Sequence, residues 1–176
     1  MGTKKWPKTN LQVLGSTKAR PVIGDLFLAN MLGKHWILGR VVDDCCHMFS
    51  GKDEVLLYFY KHKYDESESI KVPISPDLLI PPIIISSMAW KMGIFRTLRN
   101  VPIVAEEKLS QHYFMKNSPP VDPAAADAVF VDQMNRRIRK VPSKDEYWDF
   151  SGLSNVRELD SKLSEALGYE PLKDDY

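Results

Sequence analysis

Cys45, Cys46 and His47 form the part of the sequence that most resembles a metal site. Thiolate and imidazole are preferred zinc ligands, and a structural zinc site takes two separated pairs of them. Adjacent cysteines cannot easily both reach one tetrahedral ion, and no second Cys/His pair follows at the usual spacing. The sequence therefore predicts a packed or loop position for these residues and no bound metal.

Patterns of catalytic residues are weak throughout the chain. The four histidines, including His112, are scattered without an HExxH arrangement and are predicted to be packing or surface residues. The sequence contains no GxSxG elbow, P-loop or GxGxxG fingerprint. The acidic pairs at 43–44 and 106–107 are adjacent, and neighbouring side chains diverge on a strand or helix. We therefore expect no catalytic residue and no cofactor.

The strongest basic cluster comprises Arg136, Arg137, Arg139 and Lys140. Such a cluster could bind phosphate groups or an acidic protein surface, but a solvated hairpin face is the favoured interpretation. No aromatic residue interleaves it, as a platform for single-stranded nucleic acid would require. A nucleic-acid-binding β-barrel that uses this cluster and the Lys-rich N-terminus is the alternative function, and it is not the favoured one.

The charge of the whole chain is almost balanced, with 24 Lys and Arg against 23 Asp and Glu in 176 residues. This length suits one domain, and the balance argues against a general polyanion binder. The distribution is uneven, because residues 1–24 carry five bases and no acid, whereas residues 143–176 carry nine acids and four bases. Oppositely charged faces steer association, so this pattern indicates a specific protein partner.

Neither terminus nor interior shows an export or membrane signal. The first residues are basic, but no apolar region follows them. The most apolar stretch, residues 78–85, is broken by two prolines and is far shorter than the roughly 20 residues needed to span a bilayer. The adjacent cysteines cannot form a disulfide framework, which suits a reducing compartment. The sequence predicts a cytoplasmic protein with no membrane partner.

Residues 1–20 are Lys-rich and lack apolar periodicity, so they are predicted to form a basic, mobile arm. The apolar runs that follow predict one β-rich domain over 21–176. Short apolar runs separated by Gly-containing links are typical of antiparallel strands. Strands are predicted at 22–29, 35–42, 54–60 and 90–98, the first two as a β-hairpin.

The last third contains one ambiguous segment and one clear helix. Residues 124–133 could form a helix after Pro123, or residues 128–141 could form a hairpin, which the β-branched residues favour. Apolar residues at helical spacing predict a helix over 154–167, with Ser154 at its start and Gly168 at its end. The predicted class is α+β, with a curved, mainly antiparallel sheet or partly open barrel and a C-terminal helix.

Four short motifs occur in order along residues 20–105. They are Gly24-Asp25-Leu26-Phe27, Gly39-Arg40-Val41-Val42, the apolar strand 56–60, and Trp90-Lys91-Met92-Gly93. In this order and spacing they resemble the immunity protein 26 family of bacterial polymorphic toxin and contact-dependent inhibition systems. The basic arm and the acidic tail have no counterpart in the resemblance.

The motif residues are expected to be mainly structural. Gly24 and Gly39 suit a turn and a close approach between curved strands, and Asp25 can cap backbone donors at the turn. Phe27 enters the strand, and Trp90 with Gly93 is expected to form a core ring beside a bend. Arg40 could hold a carboxylate such as Asp25 or bind a partner, and the internal pairing is favoured.

The resemblance implies a non-enzymatic protein that binds a cognate toxin domain, in many systems a nuclease, and neutralises it by occluding its active or functional surface. Acidic segments are the interface candidates, because basic toxins favour acidic inhibitor faces. Aromatic side chains within such a run could supply an apolar anchor, or they could simply dock the C-terminal segment on the sheet. The candidates are Asp65, Glu66, Glu68, Asp145, Glu146, Tyr147, Trp148 and Asp149.

Overall fold

A computed structural model of the chain describes residues 8–44, 46, 53–64, 77–116, 129–138, 146–150 and 154–172. The strands within these ranges are β1 (Asp25–Met31), β2 (His35–Asp43), β3 (Glu54–Tyr64), β4 (Ile83–Ser86), β5 (Arg96–Asn100), β6 (Tyr113–Met115), β7 (Phe130–Val131), β8 (Arg137–Ile138) and β9 (Trp148–Phe150). The helices are α1 (Met88–Lys91) and α2 (Val156–Ala166), and a 3₁₀ turn spans Ala105–Glu107.

The larger sheet has five antiparallel strands in the order β4-β3-β2-β1-β5. The predicted hairpin is confirmed, since β1 pairs with β2 from Leu26↔Arg40 to Met31↔His35. Lys34 N donates to Met31 O at 2.9 Å and closes the turn between them. Register shifts interrupt the β1–β5 and β2–β3 ladders, and such bulges increase the local bend of a sheet.

The smaller sheet has four short strands in the order β8-β7-β6-β9. Its β7–β8 pair, with Phe130↔Ile138 and Val131↔Arg137, confirms the hairpin over this part of the ambiguous segment. The β-branched residues of the segment favour strands, as expected. β9 pairs with β6 in parallel, so the sheet is mixed rather than purely antiparallel.

One face of the larger sheet packs against helices. Phe27 and Phe59 lie on this face with Trp90 of α1, and Leu159 and Leu163 of α2 are buried in the same cluster. Fully buried apolar side chains of this size supply the main driving force for folding, at roughly 1.5–3 kcal/mol each. This face therefore forms the principal core.

The opposite face packs against the smaller sheet. Leu28 and Tyr58 share a second cluster with Phe114 of β6 and Val131 of β7. Both faces are covered, which explains why every residue of β1 is buried. The predicted α+β class with a curved open sheet and a C-terminal helix is confirmed, and the sheets do not close into a barrel.

The C-terminal helix is confirmed with slightly different ends. α2 spans Val156–Ala166, and its N-cap is Asn155 rather than the predicted Ser154. Asn155 Oδ1 accepts hydrogen bonds of 2.9 Å from the N–H groups of residues 157 and 158, which satisfies two free donors of the first turn. Gly168, with φ +76°, follows the last turn as predicted.

The strand predicted over 90–98 is wrong in its first half. Trp90 lies on the single helical turn α1, and the strand begins only at Arg96. Trp90 N donates to Ser87 O at 3.1 Å, and Trp90 Nε1 donates to Thr97 Oγ1 at 2.9 Å. The indole therefore packs on the core from a turn, a position that alternation of apolar residues along the sequence does not reveal.

Residues 8–20 run along the edge of the principal core. Leu11 is 2% exposed and forms a bridge with Met31. Its N–H donates to Asp160 Oδ1 of α2 at 2.7 Å, and Asn10 Nδ2 donates to Ser164 Oγ at 2.9 Å. This part of the segment is thus hydrogen-bonded to both sheet and helix, whereas the mobility expected for the arm stays a prediction.

Candidate functional site

The candidate site lies on the face of the larger sheet that packs against the smaller sheet. Arg40 of β2 and Tyr58 of β3 are register partners and are 1% and 0% exposed. A guanidinium and a phenol at neighbouring interior positions need polar partners, because burying such groups without them costs several kcal/mol, about 2–7 for a neutral one. The segment from residue 101 to 112 supplies these partners.

Arg40 is bound by that segment through both terminal nitrogens of its guanidinium, whereas its buried Nε has no hydrogen-bond partner among the described residues. Nη1 donates to Glu107 Oε2 at 2.8 Å, and Nη2 donates to Val101 O at 2.8 Å and Pro102 O at 3.0 Å. The pairing is internal as favoured from the sequence, but the carboxylate is Glu107. Asp25 instead accepts from Val22 N and from Asn100 Nδ2, which fixes the turn before β1.

Tyr58 and His112 form the second half of the polar cluster. The Tyr58 hydroxyl and His112 Nε2 are 2.6 Å apart, and Leu109 N donates to the same hydroxyl at 3.0 Å. The Gln133 side chain is a further hydrogen-bond partner of the His112 ring. The imidazole therefore joins the larger sheet to the hairpin of the smaller one.

Burial holds both members of this pair neutral. It raises the pKa of Tyr58, with the Leu109 hydrogen bond acting weakly against it. It also lowers the pKa of His112 to about 4, outweighing the opposing effects of the Gln133 hydrogen bond and of the Asp43 and Asp132 charges. At neutral pH the contact is a hydrogen bond between uncharged groups.

A polar cleft of about 300 Å³ opens beside His112 between the two sheets. Charged and amide side chains from the end of β2, from the segment before β6 and from the β7–β8 turn line it, among them Asp43, Lys108, Gln111, Asp132, Gln133 and Arg136. A cleft with convergent polar groups and a shifted pKa is a natural place to look for ligand binding or proton transfer. Here Tyr58 occupies Nε2 and Gln133 also bonds the ring, so a proton-transfer role would require breaking an existing hydrogen bond.

The aromatic motif residues Phe27 and Trp90 lie on the other side of the larger sheet. Phe27 packs directly over Gly39, where an added Cβ would overlap its ring. The Trp90 and Phe95 rings contact the Phe27 ring at centroid distances of 5.1 and 4.6 Å. Gly39 thus provides the space that the aromatic cluster fills.

The two remaining motif glycines approach the backbone of other segments. Gly24 has φ +90°, and an added Cβ would lie 2.6 Å from Val101 O, so a side chain is excluded both by the backbone conformation and by space. Gly93 O accepts from Leu14 N at 2.7 Å, which attaches the N-terminal segment beside Trp90.

The structure describes the side chains of three of the eight interface candidates. Asp65, Glu66, Glu68 and Asp145 lie outside the described residues, and of Trp148 the structure describes only its place on β9. The remaining candidates are Glu146, Tyr147 and Asp149.

These three make contacts within the protein. Glu146 Oε1 accepts from the Tyr113 hydroxyl at 3.0 Å, and Leu78 N donates to the Tyr147 hydroxyl at 3.2 Å. Asp149 is 7% exposed and binds Lys162 of α2 at 2.6 Å. Glu146 and Tyr147 are half-buried and so keep part of their surface accessible.

The basic cluster of the sequence is only partly described. Arg136 Nε donates to Asp132 Oδ2 at 2.7 Å across the β7–β8 turn, although its side chain is 75% exposed. Arg137 is exposed on β8, and Arg139 and Lys140 lie outside the described residues. Of the two described members of the cluster, Arg136 therefore has its charge compensated within the hairpin.

The predicted absence of a metal site concerns residues that are mostly not described. Cys46 is buried, and Cys45 and His47 lie outside the described residues. Among the residues that the structure describes, no group of three or more His, Cys, Asp or Glu side chains could hold an ion. In the same ranges no helix is long and apolar enough to cross a membrane.

Sequence reasoning missed Tyr58, Glu107 and His112. A signal for them existed in the alternation of β2, where Arg40 occupies an inward position between Leu38 and Val42. A charged residue at a core position requires a buried partner. That signal predicts a carboxylate partner but not its place in the sequence.

Comparisons of the chain with family models, with curated proteins and with solved structures find no match.

Proposed function

We propose that the protein is a non-enzymatic immunity protein that binds a cognate bacterial toxin domain in the cytoplasm. It neutralises that domain by covering its active or functional surface. The proposal rests on the ordered motifs that resemble the immunity protein 26 family. The neutralised activity, for example a nuclease activity, belongs to the toxin domain.

One observation carries the proposal. The seven motif residues, spread from 24 to 93, meet around β1 and β2 and are used for packing and internal hydrogen bonds. Phe27, Arg40 and Trp90 are at most 1% exposed, so none presents a reacting atom to solvent. Motifs used in this way define a scaffold, and a scaffold of this kind is suited to presenting a binding surface.

The test is direct binding and neutralisation. The purified protein and the toxin domain encoded by the neighbouring upstream gene are titrated by calorimetry, and the toxin is expressed with and without the protein in a sensitive strain. Stoichiometric binding and rescue of growth are expected. A toxin that neither binds the protein nor loses its effect in its presence would show that the function is different.

The aromatic interface candidate Tyr147 can be tested in the same assay. Replacing Tyr147 by Ala should weaken toxin binding while unfolding stays cooperative. Tyr147→Phe removes only the hydroxyl that contacts the Leu78 backbone, and it should bind like the wild type. Loss of cooperative unfolding in Tyr147→Ala would instead assign the ring to the core, where it packs in part already.

A further inference from the structure

Three exposed aliphatic residues lie on two neighbouring turns. Val22, Ile23 and Val104 are 46%, 43% and 51% exposed. We call these three residues the turn platform. They are among the few large apolar side chains that the described part of the chain leaves exposed, and they lie beside the motif residues Gly24 and Arg40.

The first turn is fixed by hydrogen bonds at both of its platform residues. Val22 N donates to Asp25 Oδ2 at 3.0 Å, and Ile23 N donates to Asp44 Oδ2 at 3.3 Å. Ile23 O accepts from Asn100 Nδ2 at 2.8 Å. The turn is thus attached to the end of β5, whose chain continues directly toward Val104.

The second turn is fixed by the buried ion pair. Glu107 Oε2 accepts from Val104 N at 3.0 Å while it also accepts from Arg40. Arg40 further binds the carbonyls of Val101 and Pro102. Since Val101 N donates to Gly24 O at 3.0 Å, the backbones of the two turns are held side by side.

Rigid exposed aliphatic groups are suited to binding. All three platform residues are β-branched and have few rotamers, and their backbone is already ordered. Ordering costs on association are therefore small, and apolar patches held in this way commonly mark interaction sites. Three half-exposed aliphatic side chains are too few for a whole interface of roughly 800 Å² per partner, but they suffice for its central anchor.

The charges beside the platform indicate what the partner carries. Glu106 is exposed two residues after Val104, and no described residue forms an ion pair with it. Two cations close in sequence to the platform or to β5 have contacts within the protein, since Arg20 donates to Asp44 O and Arg99 also has a partner. Lys108 lines the polar cleft. Glu106 is therefore available to pair with a cation of the partner.

We infer that the turn platform docks a protein partner through an apolar side chain that lies next to a lysine or arginine of that partner. The inference rests on the proposed function, and the partner is the cognate toxin domain. Burial of the aliphatic groups supplies the affinity, and Glu106 pairs with the adjacent cation.

The experiment measures binding of the purified toxin domain from the neighbouring gene to four variants. Ile23→Ser and Val104→Ser each remove an anchor and should raise the Kd by about 10-fold or more. Glu106→Lys should raise the Kd most strongly at low salt. Val13→Ser is the matched control, since Val13 is 66% exposed away from the platform, and its Kd should stay within about twofold.

The outcomes separate the two proposals. Thermal unfolding of all variants should match the wild type, and a variant that unfolds early is replaced by Ile23→Val or Val104→Ala, for which a smaller loss in the same direction is expected. If the wild type binds and the platform variants bind equally well, the inference about the turn platform is wrong and the proposed function is still supported. If the wild type does not bind, both are wrong. Self-association of the wild type that is lost in Val104→Ser would assign the platform to a second copy and overturn the inference.

Discussion

Arg40 Nη1 lies 2.8 Å from Glu107 Oε2, and the side chains of the two residues are 1% and 12% exposed. The ion pair joins the centre of the larger sheet to the segment that precedes the smaller sheet. Because it is shielded from water, its two charges depend on each other and on the carbonyls that Arg40 also binds. It therefore determines where residues 101–107 lie.

Removing Glu107 should destabilise the protein strongly. In Glu107→Ala the guanidinium stays buried with carbonyl acceptors alone, and an uncompensated charge of this kind costs about 3–5 kcal/mol. We expect a corresponding decrease in the free energy of unfolding, measured by urea denaturation followed by tryptophan fluorescence.

The exposed pair Lys61–Asp77 is the matched control for that measurement. Its side chains are 59% and 67% exposed with a separation of 3.0 Å. Water screens this pair, so Lys61→Ala should leave the unfolding midpoint unchanged. Equal effects of Glu107→Ala and Lys61→Ala would contradict the structural role of the buried pair.

Adding one methyl group at Gly39 should disrupt the aromatic cluster. The Phe27 ring occupies the space that a Cβ would need, and the Phe27 ring is itself in contact with Trp90 and Phe95. Overpacking of this kind costs about 1–3 kcal/mol. Gly39→Ala should lower the free energy of unfolding by this amount in urea denaturation.

A double-mutant cycle supplies the control. In a Phe27→Leu background the ring is gone, and the same Gly39→Ala change should cost at least about 1 kcal/mol less. An unchanged cost would mean that a contact other than the one with the Phe27 ring requires glycine at position 39.

The elements that local patterns specify were predictable. The β1–β2 hairpin follows from two apolar runs and a Gly-containing link, and α2 follows from its apolar stripe and its terminal Gly168. The helical turn at Trp90 was missed, because a single turn has too few residues to show a period and its aromatic side chain suits a strand equally well.

The polar cluster could be predicted only in part. Arg40 occupies an inward position of β2, which indicates that it needs a partner. The partner lies 67 residues away, and His112 lies 54 residues from Tyr58. Nothing in the local sequence of residues 101–112 specifies which strand they cross. Asp25 is nearer to Arg40 in sequence and was therefore the expected carboxylate partner. In the structure both of its carboxylate oxygens accept hydrogen bonds from other residues, Oδ2 from Val22 N and Oδ1 from Asn100 Nδ2.

Leu11 should contribute to stability although it lies in the segment predicted to be a mobile arm. It is 2% exposed and belongs to the principal core. Truncating a buried leucine costs about 2–5 kcal/mol, so Leu11→Ala should lower the melting temperature clearly. Val13→Ala, at a position 66% exposed, should have no measurable effect in the same thermal scan. Equal melting temperatures for both variants would show that the segment detaches in solution.

Acid should weaken the fold through His112. The unfolded chain binds a proton near the ordinary His pKa of 6.5, whereas burial lowers the pKa of folded His112 to about 4. The unfolded state thus binds more protons between these values, and the free energy of unfolding falls as the pH decreases from 6.5 to 4. One pKa unit corresponds to about 1.4 kcal/mol, so the full loss is about 3 kcal/mol.

The effect is isolated by comparing urea denaturation of the wild type and His112→Gln across this pH range. The variant is less stable at neutral pH, because it disturbs the contact with Tyr58, and its stability should depend less on pH. Asp160 acts in the opposite direction, because burial raises its pKa and its contribution is lost as the pH rises. Since Asp160 is present in both proteins, it cancels in the difference. A slope unchanged in His112→Gln would place the titrating group elsewhere.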